Sequence, residues 1–250
     1  MKSNLIKTSE QIAKITKSCS ILAEVKQIIY DFVRPGVSLK EIDQLAFNEI
    51  KKRNAEPAFL GLYGFPATAC ISVNEQLIHG IPSNYVLRDG DLLSVDLGCK
   101  WKGYHSDSAF TIGVGKISPA NQKLIDVAVG AFNAGLKAIK KGARIGDISH
   151  AIGTYIKRAG YYTPEEFCGH GIGLNLHEVP NVPNDGKKGT GMLLRDGMVI
   201  CIEPMITQTP RIKALSDGWT IVSENNSNTS HYEHTVLIKN GKGIVLTKGI

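Results

Sequence analysis

The sequence predicts an α/β (α+β) body made of a duplicated helix-helix-strands unit with antiparallel sheet. Three observations predict it: helix-like and strand-like segments occur twice in the same order, short matches recur at a nearly constant offset, and the strand-like runs follow one another without intervening helices. Strands joined in that way pair antiparallel, which leaves the helices to cover one side of the sheet.

From Thr8 to Val33 apolar residues recur at helical spacing (Ile12, Ile15, Cys19, Leu22, Val25, Ile29), and Thr8 with Gln11 has the form of a capping box. Pro35-Gly36 ends this helix, and Ser38 with Glu41 opens a second one carried on by Ile42, Leu45, Ala46 and Ile50. After Pro57, three runs rich in branched residues and bounded by Gly and Pro read as strands: Cys70 to Val73, Leu92 to Leu97 and Ala109 to Val114. Ser118-Pro119 then starts a helix expected to reach Gly142, Asp147 begins another ending near Gly160, and strand-like runs follow.

The repetition extends to individual residues. Val33 to Ile42 matches Ile139 to Ile148 at an offset of 106, and Leu87-Arg-Asp-Gly90 matches Leu194-Arg-Asp-Gly197 at an offset of 107. We expect one domain over 1–250, built from half-repeats of about 1–117 and 118–250; a period this long means two packed half-domains and not a solenoid.

Composition supports a globular chain: of 250 residues, 42% are hydrophobic and 21% charged. The net charge of +6 is spread along the chain, which predicts a solvated basic surface and no sequence-specific nucleic-acid binding. Five cysteines, an odd number with no Cys-x-x-Cys pair, point to reduced thiols in the cytoplasm. Lys7, Glu10, Lys14, Lys17, Glu24 and Lys26 interrupt any apolar leader at the N-terminus, and no run of about 18 apolar residues could span a membrane.

The informative feature is charge inside apolar strands. Asp96 lies in Leu92-Leu-Ser-Val-Asp-Leu97, and Glu203 in Met198-Val-Ile-Cys-Ile-Glu-Pro-Met205, each six residues past the glycine of the repeated tetrapeptide. Burying an ionised carboxylate costs several kcal/mol unless a cation offsets it, so either a Lys or Arg waits there, or the strand end is exposed, or a metal is bound. The triplets His105-Ser-Asp107 and His231-Tyr-Glu233 add a second pair of acids, one from each half. Four converging anions are most simply neutralised by a pair of divalent cations, which bridging carboxylates hold about 3.5–4 Å apart.

A nitrogen ligand is available in Cys168-Gly-His-Gly-Ile-Gly173, where glycines flank His170, although a lone histidine in such a turn is more often a structural hydrogen-bonding residue. Ile78-His79-Gly-Ile-Pro82 echoes Leu176-His177-Glu-Val-Pro180, one histidine from each half for acid-base or carbonyl contact. Phosphate cradles, an H-E-x-x-H helix, a G-x-S-x-G elbow and structural-zinc cysteine pairs are absent, while spacing does not exclude a dispersed Ser/His/Asp triad.

In ordered set these motifs resemble the type I methionine aminopeptidases over essentially the whole chain: Cys70-Ile-Ser-Val-Asn74, His79-Gly-Ile-Pro82, Asp96 with Asp107, Gly169-His-Gly-Ile-Gly173, His177-Glu178, Gly197 to Pro204, and Glu233-His-Thr235. The resemblance implies the pseudo-twofold pita-bread fold. It implies Asp96, Asp107, His170, Glu203 and Glu233 as ligands of two divalent metal ions (Co, Mn, Fe or Zn), with Asp107 and Glu233 bridging. By the same carry-over His79 serves the substrate amine and leaving-group side, His177 the scissile carbonyl, and Glu203 takes the proton of the attacking water.

The implied pocket for the methionine side chain is Phe59, Leu62, Phe65 and Cys70 with Leu176 and Trp219, alongside His79 and His177. Phe59, Leu62 and Phe65 replace the Cys and two Tyr of the best-known bacterial pattern, and Leu176 stands where an aromatic is often found. Only 29 residues separate Glu203 from Glu233, which leaves no room for the long insertion of type II enzymes. The expected activity is removal of the initiator methionine from nascent polypeptide N-termini when the second residue is small. The expected enzyme is monomeric, with transient ribosome association and no membrane partner. The rivals are a proline-directed aminopeptidase of the same fold and a non-catalytic binding module of that fold.

Overall fold

The computed structural model describes residues 5–249. Among the described residues four α-helices frame the fold: α1 (Ser9–Phe32), α2 (Leu39–Lys52), α3 (Pro119–Ala138) and α4 (Ile145–Arg158). Thr8 and Ser38 close capping boxes with Gln11 and Glu41, and Ser118 accepts from the Asn121 amide ahead of Pro119. α4 starts two residues before the expected Asp147, because Asp147 is the acid of the first turn and accepts from the Arg144 amide at 2.7 Å. α3 stops at Ala138, short of Gly142.

Each helix pair is followed by a sheet. In the first, β1 (Ala69–Val73) and β3 (Tyr104–Gly113) flank β2 (Leu92–Trp101), all antiparallel. The hairpin of β2 and β3 extends well past the apolar runs that announce it. Its outer residues pair up to Trp101–Tyr104, and the turn at Lys102-Gly103 takes positive φ at both residues. The second sheet runs in the order β8 (Lys242–Val245), β7 (His234–Lys239), β6 (Val199–Ile202), β4 (Cys168–Gly171), β5 (Glu178–Pro183), again antiparallel. Reciprocal backbone bonds between Ala109 and Glu233 (2.9 and 3.3 Å) and a Thr235 hydroxyl that donates to the Asp107 carbonyl at 2.8 Å join the two sheets.

The core follows the same division. One apolar cluster lies between α1, α2 and the first sheet, a second between α3, α4 and the second sheet, and a third unites residues of both halves, among them Ile15, Phe59, Cys70, Leu176, Val199 and Cys201. The third cluster borders the candidate site. Among the described residues no helix is long and apolar enough to cross a membrane.

Candidate metal centre

Asp96 and Asp107 project from the β2–β3 hairpin, Asp96 opposite Cys70 and Ala109, Asp107 opposite Gly98. A side chain at Gly98 would lie 2.8 Å from the Phe59 ring and 3.0 Å from the Ser106 carbonyl, so glycine lets the pocket wall pack against the hairpin. His170 is carried by β4 between two glycines that must be glycine. A Cβ at Gly169 would meet the Cys201 carbonyl at 2.3 Å, and one at Gly171 the Val179 carbonyl at 2.1 Å. Glu203 follows the end of β6, its carbonyl held by Asn184 at 3.0 Å, and Glu233 directly precedes β7.

These five side chains meet. The His170 Nε2 lies 3.6 Å from Asp107 Oδ2 and 3.7 Å from Glu203 Oε1. The other ring nitrogen, Nδ1, is 2.9 Å from the Gly171 carbonyl, to which it donates; Nε2 therefore presents a lone pair to the acids. Asp107, His170 and Glu233, with the Cys201 thiol, offer ligand atoms all within 4.8 Å of one another.

Asp96 Oδ1, Asp107 Oδ1 and Glu233 Oε1 are buried without a hydrogen-bond partner. Burial, reinforced by neighbouring carboxylates, pushes Asp96, Glu203 and Glu233 well above the usual carboxylate range, and burial takes Asp107 to about 8. The imidazoles cannot neutralise them, because burial also draws His170 down, His177 to about 4 and His231 to about 3. Orphaned oxygens, crowded acids and one aimed imidazole lone pair form a donor set that divalent cations fit. Burial keeps the Cys201 thiol protonated, so its place among these atoms is that of a neighbour beneath the acids.

The acids form one end of a cavity of about 290 Å³. Phe59, Leu62, Phe65, Cys70, Leu176 and Trp219 line the rest of it together with His79 and His177, so all the residues singled out from sequence line one space. Phe65 meets Trp219 edge to face at 5.1 Å. His79 adopts φ +58, and Gly80 beside it packs so close to β1 that a Cβ would meet the Ile71 carbonyl at 2.3 Å. His177 stands edge-on to His170 at 4.5 Å, and the next residue, Glu178, pairs with Lys7 at 2.5 Å in the interior.

Three residues near the site were not legible as such in the sequence. Tyr63 lines the cavity mouth, 77% exposed, with its ring parallel to His177 at 6.1 Å. Its only signal was its place between Gly61 and Gly64, which take positive φ with it. Cys201 looked like one more apolar strand residue. His231 entered only as part of a His-x-acid triplet, and its Nε2 lies unpartnered 3.9 Å from Glu203 Oε2.

The sequence profile of metallopeptidase family M24 matches residues 13–240. Methionine aminopeptidase 1 of Bacillus subtilis is 41% identical over 245 residues, covering 98% of this chain and 99% of that one. A methionine aminopeptidase structure from Rickettsia prowazekii superposes with a TM-score of 0.95 at 32% identity, over 97% of this chain and 99% of that one. The prolidase of Pyrococcus horikoshii also matches, at a TM-score of 0.80 and 26% identity, but this chain spans only 64% of its length. The pita-bread fold, the full-length correspondence and the acid-lined cavity agree: this chain belongs to metallopeptidase family M24, in its methionine aminopeptidase branch.

Proposed function

We propose that this chain removes the initiator methionine from proteins by hydrolysing the first peptide bond when the second residue is small, as a type I enzyme. The observation that carries this reading is one cavity with orphaned carboxylate oxygens at one end and an apolar wall at the other. Asp96, Asp107, His170, Glu203 and Glu233 would hold two divalent ions. Bound there, such ions would supply Lewis acidity, which can lower the pKa of water from 15.7 to about 7.

The remaining work falls to side chains of this chain. Glu203, partly open to the cavity at 14% exposure, accepts the proton of the attacking water at a carboxylate oxygen and returns it to the leaving amine. His177 stays neutral at cellular pH because burial and His170 oppose its charging, so its N–H polarises the scissile carbonyl as a neutral donor. His79, held neutral by burial and by His177, faces the amine side. Phe59, Phe65, Cys70 and Leu176 are buried and exclude water from the side chain they receive, an unbranched thioether that follows an irregular apolar wall. The chain is read as one catalytic domain of two half-repeats, about 1–117 and 118–250, supported by the same helix-helix-strands order on either side of Ser118.

The substrate is met as a nascent N-terminus in the cytoplasm, by a monomer whose net charge of +6 suits transient contact with ribosomes. The test is steady-state hydrolysis of Met-Ala-Ser and of a Gly-Pro peptide after chelation and re-addition of Co, Mn, Fe or Zn one at a time. We expect the methionyl peptide to be the better substrate with at least one metal; faster turnover of the proline peptide overturns the assignment.

A further inference from the structure

Lys26 occupies a core position of α1: it is fully buried, one helical turn from the buried Leu22 and Ile29. Packing alone would place an apolar residue there, and a buried ammonium costs several kcal/mol unless charge nearby offsets it. Its Nζ donates to the Ser108 hydroxyl at 2.6 Å and lies 5.8 Å from the Phe110 ring centroid. Neither partner carries a charge. Ser108 in turn donates to the carbonyl of Glu233 at 2.7 Å, and it follows Asp107 in the chain.

One hydroxyl therefore links this ammonium to the backbone that carries two of the acids. The charges that favour the ammonium are those of Glu233 and Asp96, while burial draws it down to about 8, which leaves it a cation at neutral pH. A buried ammonium and a cluster of crowded acids are thus joined through one serine.

We propose that Lys26 is a built-in counter-cation of the metal centre, which supports the acid cluster before metal arrives and weakens the grip of the cluster on its divalent ions. This inference rests on the reading of the five ligands given above. A fixed positive charge repels an incoming divalent ion, and in a buried setting salt screens that repulsion little. The metal site is thereby tuned to exchangeable binding by a residue that touches neither metal nor substrate.

The test is calorimetric titration of Mn2+ into chelator-treated protein near neutral pH, for wild type, Lys26→Met, Lys26→Gln and Ser108→Ala. Lys26→Met should tighten the Mn2+ dissociation constant by about tenfold, at low and at high salt alike. Ser108→Ala keeps the charge and should stay within about twofold of wild type. Should Lys26→Met not fold, Lys26→Gln, which can keep the bond to Ser108, makes the same comparison. Unchanged or weaker Mn2+ binding in the neutral variants, beside measurable binding by wild type, overturns the counter-cation while leaving the ligand set intact. A wild type that binds no Mn2+ removes the ligand set as well.

Discussion

The two ends of the cavity are built by different means. The acid end comes from strands or the residues directly beside them: Asp96, Asp107 and His170 within strands, Glu203 and Glu233 at strand ends. The apolar end comes mainly from loops, with Phe59, Leu62 and Phe65 in the segment before β1, and Leu176 and Trp219 in bends. The difference follows from the interactions involved. Charge-charge and coordination geometry change steeply over fractions of an ångström, so the acids need the register of a ladder; apolar burial is non-directional and tolerates exchange of one side chain for another. It also fits an apolar wall made of Phe, Leu and Phe in a loop segment, while the five polar positions all converge on one end.

That contrast predicts unequal sensitivity. Glu203→Ala or Asp107→Ala should lower kcat/KM for a methionyl peptide by about a thousandfold or more, with the circular dichroism spectrum unchanged; wild-type activity in either would place the chemistry elsewhere. His79→Ala should cost about a hundredfold in kcat with metal content retained. Equal loss of metal and turnover, measured by elemental analysis beside kinetics, would move His79 to the ligand set. At the apolar end Leu62→Ala should raise KM by about fivefold and leave kcat nearly unchanged, and a large fall in kcat there would erase the distinction between the two ends.

The smallest effect is on stability against pH. Asp107 is raised to about 8 in the folded state, and Asp96, Glu203 and Glu233 also stand far above their unfolded values, so their contribution is present at low pH and lost as pH rises through the folded values. The buried histidines act oppositely, since His177 near 4 and His231 near 3 add stability as pH climbs to their ordinary 6.5. Between about 6.5 and 8 the acids dominate, with Lys26, drawn down to about 8, opposing them only at the upper edge, and metal-free protein should lose several degrees of Tm over that window while metal-loaded protein does not. A flat metal-free profile in thermal scans would mean that the acids are not crowded in solution.

Much of this was legible before any coordinates. The caps at Thr8, Ser38 and Ser118 mark where α1, α2 and α3 start, because side-chain capping is a local interaction. The acids stood out because charge within an apolar strand demands a partner. The full length of the β2–β3 hairpin was less visible, since His105, Ser106 and Asp107 hide the apolar alternation and only the Lys102-Gly103 turn reveals the pairing.

By itself the sequence determined what is local or periodic: the helix starts, the repeated order of elements and the chemical types of residue that can bind metal or line a pocket. Tertiary structure alone decided which charges are buried. Lys7 and Lys26 looked like surface charges breaking an apolar run, yet one pairs with Glu178 and the other lies behind the acids. Burial depends on what other parts of the chain pack against a residue, here across 171 positions for Lys7 and 82 from Lys26 to Ser108, and local sequence carries no record of contacts made at that separation.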